Sequence, residues 1–218
     1  MIRNAKVMMV LVLAIVGLLV TTTAEGNAPL VSEKATRASV DVAVASDFPD
    51  SVYPFLDTWV EYDGSRIAYV LLRFDLDPLT QADVTAGMIE DATVDLWVWD
   101  WAGDAHPEAY PFLGLHQVTT PWGDNVTWNT RPLWDATEVD AQLIDNWSWY
   151  DPSQAREKDH GYYDWDVTEL VKDWLNGTPN YGVLVKIRED APLAWTRGVR
   201  FRDRLNTEHR PYLIVWHT

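Results

Sequence analysis

Apolar side chains recur at every second position along several short stretches of this chain, with turn residues between them. Val40, Val42 and Val44 alternate with smaller or polar neighbours. From Thr93 onward, Val94, Leu96 and Val98 take one parity while Asp95, Trp97 and Trp99 take the other. A period of two marks a strand with one buried face. Similar stretches fall at 58–62, 67–75, 112–118, 142–147, 182–187, 199–202 and 212–216. Short strands punctuated by Pro and Gly predict an all-β fold, an antiparallel sandwich or jelly roll, over alternating strands and helices.

One stretch breaks the pattern. Between Asp166 and Gly177, Val167, Leu170, Val171, Trp174 and Leu175 follow helical spacing and predict one short helix with a single buried stripe. Asp166 is placed to cap it, Glu169 to complete a capping box, and Gly177 to supply the left-handed exit. The helix is expected to pack over an open end or edge of the sandwich.

The N-terminus reads as a targeting segment. Arg3 and Lys6 precede Val7–Val20, an uncharged apolar run of 14 residues. That is short of the roughly 20 residues that span a bilayer core, and it matches a secretory signal peptide over residues 1–24, cut after Ala24. Residues 25–37 then form an extended tether and residues 38–218 the folded domain. The expected product is exported, extracellular or at the cell surface, and keeps no stable membrane span after cleavage. The chain has no cysteine, which removes disulfide scaffolds and thiolate metal sites and suits export from a prokaryotic cell. Its 33 Asp plus Glu against 17 Lys plus Arg give a formal charge of −16, which argues against nucleic acid as a partner. Asn125, Asn146 and Asn176 open N-x-[ST] sequons.

Several short motifs occur in order along the chain. They are Arg73-Phe74-Asp75-Leu76, then Ile89 and Ala92 ahead of Leu96 and Val98, then Val126-Thr127-Trp128-Asn129-Thr130-Arg131-Pro132. Asp166-Val167-Thr168, Trp174, Asn176-Gly177, Asn180-Tyr181-Gly182 and Arg210-Pro211-Tyr212-Leu213 follow. In order and spacing, residues 38–218 resemble the DNRLRE-type secreted modules. The resemblance implies a jelly-roll-like β-sandwich of exported bacterial and archaeal proteins, often attached to polysaccharide-active enzymes, with some members serving as carbohydrate-binding modules. The chain departs from that pattern at Asp50-Ser51-Val52-Tyr53, Trp122-Gly123-Asp124 and Arg202-Asp203-Arg204. Trp128 and Arg131-Pro132 read as loop-pinning residues.

Thirteen tryptophans direct attention to sugar recognition, in which C–H bonds stack on flat rings while a nearby carboxylate takes the hydroxyls. Trp97 and Trp99 with Asp95 form one candidate platform; Trp147 and Trp149, with Asp145 ahead and Tyr150 behind, form another. The competing reading is ordinary core beneath the helix or a loop, since Trp is mostly buried. The five histidines lack zinc spacing, and no cofactor is expected. A calcium ion, if bound, would draw on Asp100 and Asp104, or on Asp151, Asp159 and Asp164. No serine lies in a G-x-S-x-G elbow, so no catalysis is expected. Arg197, Arg200, Arg202, Arg204 and Arg210 form either a basic patch or partners for the surplus acids. The sequence thus points to a non-catalytic module that binds extracellular polysaccharide. One alternative is a structural subunit of an extracellular filament, sheath or surface coat that joins copies of itself by strand addition of residues 25–44; a weaker one is a polysaccharide-active enzyme.

Overall fold

On the strand opened by Ile89, Ala92, Val94, Leu96 and Val98 are sealed from solvent while Thr93, Asp95, Trp97 and Trp99 are half-buried on the other face. The alternation in the sequence is therefore the alternation in space. The computed structural model describes residues 32–52, 58–62, 66–103, 111–144, 161–188 and 197–218. Its strands are β1 (Ser32–Ala45), β2 (Thr58–Tyr62), β3 (Ile67–Phe74), β4 (Ile89–Gly103), β5 (Phe112–Val118), β6 (Trp134–Leu143), β7 (Gly161–Asp166), β8 (Val183–Ile187), β9 (Arg197–Phe201) and β10 (Tyr212–His217). A one-turn helix α1 (Asp77–Thr80) lies between β3 and β4, and α2 (Thr168–Leu175) between β7 and β8.

All pairings are antiparallel, and two long strands join the layers. Ser32–Arg37 of β1 pairs with β10, and after a bulge between Ala38 and Val40 the rest of β1 pairs with β3. β4 lies between β10 and β7 over its first half and, past a bulge between Val98 and Asp100, turns to β9. β9 runs through β2 to β3, from which β8, β5 and the edge strand β6 extend. One layer is therefore β7, β4, β10 and the start of β1; the other is the end of β1 with β3, β8, β5 and β6. Bulged strands that switch sheets are how sandwiches of this type turn their corners. The fold is the all-β sandwich expected.

The main core fills the space between the layers. Val94, Leu96 and Val98 meet Val70, Leu72, Phe74, Leu113, Leu115, Val183 and Val185. Trp165 crosses from β7 and donates its indole N–H to the Leu113 carbonyl at 3.1 Å, which satisfies the one polar atom of a fully buried ring. A second, smaller core lies on the other face of the β3–β8 layer. There Val42, Leu71, Val118 and Leu184 are covered by the segment 119–133 through Val126, Trp122 and Trp128. Arg131 stacks its guanidinium 3.9 Å from the Trp128 ring and bonds the Trp128 carbonyl, so these residues pin the loop as read from the sequence.

Helix α2 buries Leu170, Val171 and Trp174 against the main core, and Gly177 leaves it at φ 103°. The N-cap position falls at Val167 and not at Asp166; Asp166, one residue further out, accepts the Thr168 N–H at 2.9 Å, and Glu169 does not complete a capping box. Asp140 takes the Asp166 N–H and Glu169 pairs with Lys172 at 2.8 Å.

Three further sequence expectations differ from the structure. Ser32–Arg37, read as tether, is strand within the sheet, and the compact unit covers Ser32–His217. β6 starts at Trp134 and not at Gln142, and β7 lies outside the stretches whose pattern predicts strand. Both are polar: β6 carries Asp135, Glu138 and Asp140, and β7 buries only Trp165 fully, so neither shows an apolar alternation. Among the described residues, no helix is long and apolar enough to cross a membrane.

Candidate functional site

The outer face of the β7–β4–β10 layer gathers aromatic and acidic side chains by register. Trp97 faces Tyr162, Asp95 faces Asp164 on one side and Tyr212 on the other, and Thr93 faces Asp166 and Ile214. Strand parity sends all of them away from the core. The loop between β9 and β10 adds His209 and Arg210.

His209 lies flat on Trp97, with ring centroids 3.7 Å apart and planes 8° from parallel. Tyr162 meets Trp97 at 5.0 Å and 78°, and stands 6.3 Å from His209. These three separations close a triangle with a near right angle at Trp97. Tyr162 therefore stands at the edge of the indole, and the face opposite His209 is taken by neither ring. Tyr162 is itself 40% exposed and lies 6.4 Å from Tyr212.

Asp95 sits among these rings and accepts the Thr93 hydroxyl at 2.6 Å. Burial raises its carboxyl above the ordinary range against that hydrogen bond, and the negative charges of Asp164 and Glu33 raise it further. Burial likewise raises the Tyr162 hydroxyl, with Tyr212 and Asp95 adding and Arg210 opposing. The face is thus a fixed set of rings around an acceptor-rich centre. It can stack on apolar C–H surfaces and accept hydrogen bonds from hydroxyls.

The loop that carries His209 is held from behind. Asp41 on β1 accepts the Arg204 backbone N–H at 2.6 Å, and the Arg204 guanidinium lies 3.6 Å from Asp41 and from Asp124. Asp203 and Asn206 then cap successive turns by accepting the N–H groups of Leu205, Asn206, Glu208 and His209.

Of the residues singled out in the sequence, Asp95 and Trp97 come together here. Trp99 turns to a different set of contacts: Arg202 stacks 4.4 Å from its ring and Arg200 lies 5.8 Å away, beyond the bulge. Trp147, Trp149, Tyr150, Asp104, Asp151 and Asp159 lie outside the described residues. Asp100 pairs with Arg200 through its backbone, and Asp164 faces Asp95. Among the described residues, no three His, Asp or Glu side chains gather as metal ligands would.

Of the arginines near the C-terminus, Arg204 is paired with Asp41 and Asp124, while Arg200 and Arg202 stack on tryptophans and share the Trp99 ring. Tyr162 and His209 are not among the sequence's site candidates, and Tyr212 stands there only within the Arg210–Leu213 motif. The alternation of Tyr162 and Asp164 about buried Trp165 is a signal that could have found the first of them. Nothing local announces that His209 reaches Trp97.

The model of a protein family, carbohydrate-binding module family 96, matches residues 36–217. No curated protein matches the chain.

Proposed function

The chain belongs to carbohydrate-binding module family 96, and from that premise we propose that it grips its polysaccharide through the outer face of β7, β4 and β10. Trp97 and Tyr162 supply the rings; Asp95 and Asp164 accept hydroxyl hydrogen bonds. The observation that supports this reading most is the triangle of His209, Trp97 and Tyr162. It fixes the indole from one face and one edge, so that a sugar meets a plane that loses little freedom on binding. Asp95, Asp164 and Glu33 make the face negative, which favours a neutral glycan over a uronate polymer.

In this reading the module acts outside the cell, after loss of residues 1–24, and performs no catalysis of its own. The strand-addition alternative is disfavoured, because residues 32–45 already pair with β10 and β3 of the same chain. A glycan array read with wild type and Trp97→Ala tests the proposal. Binding to neutral polysaccharides that disappears in the variant supports it, and binding that survives Trp97→Ala overturns it.

A further inference from the structure

A cavity of about 330 Å³ lies away from the outer face of β4, between the turn after β1 and the segment 119–133. Asp50, Trp122, Gly123, Asn125, Thr127 and Thr130 line it. Its volume is at the small end of ligand pockets. The walls are tied together by the backbone. The Asn129 N–H donates to the Pro49 carbonyl at 2.9 Å and its side-chain amide to Asp50 Oδ1 at 2.8 Å, which joins the two loops. Val126 N–H reaches the Gly123 carbonyl at 3.0 Å, and Thr127 N–H reaches Thr130 Oγ1 at 2.9 Å. The Trp122 indole N–H donates to the Tyr181 carbonyl at 2.6 Å, and the Arg73 guanidinium lies 5.5 Å from the ring.

The Trp122 ring is therefore held in place, with its polar atom already satisfied. Other polar groups keep capacity. Among the described residues, Asp50 Oδ2 and the Asn125 side-chain amide make no hydrogen bond, and the Thr127 hydroxyl meets only that of Thr130. The lining includes no cation; Arg204 is engaged by Asp124 and Asp41 outside it.

We propose that this cavity is a second sugar-binding subsite that takes one neutral pyranose unit, with Trp122 against the C–H face and Asp50, Asn125 and Thr127 on the hydroxyls. An anionic sugar would meet Asp50 with no countercharge in the lining. The inference rests on the chain being a carbohydrate-binding module, but not on the Trp97 face being its main site. Two subsites on one chain make the second contact with a polymer intramolecular, which raises overall affinity without a new contact.

The variant Gly123→Leu separates the subsite from the fold. Gly123 has no left-handed backbone, and a Cβ there would lie 3.6 Å from Asn125 Oδ1, an ordinary contact, so a leucine can start from this position and add bulk where Gly123 lines the cavity. Asp50→Asn is the second variant, since it turns the free acceptor into an amide and keeps an oxygen for the Asn129 side chain. Methyl glycosides of glucose, galactose and mannose, and of galacturonic acid as the anionic probe, are titrated into the full chain while Trp122, Val126 and Trp97 signals are followed by NMR.

The proposal predicts that at least one neutral glycoside shifts Trp122 and Val126, that Gly123→Leu abolishes those shifts, and that Asp50→Asn weakens the binding they report about tenfold. Persistence of the shifts in Gly123→Leu overturns it, as do shifts by galacturonate alone. Shifts confined to Trp97 overturn the subsite and leave the main reading standing. Silence of all three signals, with retained polysaccharide binding elsewhere, contradicts both.

Discussion

Replacing Asp41 by asparagine should stabilise the protein at neutral pH. The Asp41 side chain is 5% exposed and sits behind the loop that carries His209. Burial pushes its carboxyl from the ordinary 3.8 up to about 6; the Arg204 backbone N–H opposes this, Asp203 reinforces it, and the Arg204 guanidinium opposes it. A carboxyl whose folded value is raised binds its proton more tightly when folded, so its contribution to stability grows as pH falls from about 7 toward 4 and is lost as pH rises through 6. At about 1.4 kcal/mol per pH unit, the interval from 3.8 to about 6 makes the ionised form cost about 3 kcal/mol in the folded state.

Asparagine resembles the protonated form and keeps an oxygen for the Arg204 N–H. Asp41→Asn should therefore gain about 3 kcal/mol at pH 7, and its advantage over wild type should shrink by about 1.4 kcal/mol at pH 5. Urea unfolding of both proteins at the two pH values, with equal slopes, measures this directly. A variant less stable than wild type at pH 7, or a difference that does not change with pH, would refute the reasoning. Either result would mean that the Arg204 contacts outweigh the burial of the charge.

Other perturbations test the scaffold and the site. Gly182 has φ 84°, and a Cβ there would run into the Leu72 carbonyl oxygen, so Gly182→Ala should cost about 3 kcal/mol or more, seen as a lower urea midpoint. Trp165→Phe removes the donor to the Leu113 carbonyl and part of a fully buried ring; a loss of about 2–4 kcal/mol is expected by calorimetry. Trp97→Ala should weaken polysaccharide binding by about 2 kcal/mol, roughly thirtyfold, in isothermal titration. Far-UV circular dichroism should be unchanged, because the ring lies outside the core.

Parts of this architecture were legible in the sequence because one side of an element is dry. Val94, Leu96 and Val98 against Asp95, Trp97 and Trp99 reveal both the strand and which side chains face outward. The stripe Leu170, Val171 and Trp174 reveals α2. Legibility fails where burial is weak: among the described residues β6 is an edge strand paired with β5 alone, and along most of its length neither face supplies an apolar parity. It also fails where the chain's path decides. Ser32–Arg37 holds no apolar residue but Ala35, so it shows no alternation, and it becomes strand because β10 presents an open edge beside it. His209 meets Trp97 because Asp41 anchors Arg204, and Asp203 and Asn206 then cap the turns that follow. Such contacts join distant residues through a loop, and periodicity cannot register them.

The most direct test follows the indole and ring signals of Trp97, Tyr162 and His209 by NMR while a neutral oligosaccharide that the glycan array shows to bind is added to the full chain. The three signals should move together and saturate at the affinity measured by titration, with Asp95→Ala weakening the response. Saturable binding that leaves all three in place would contradict the assignment of the polysaccharide to this face.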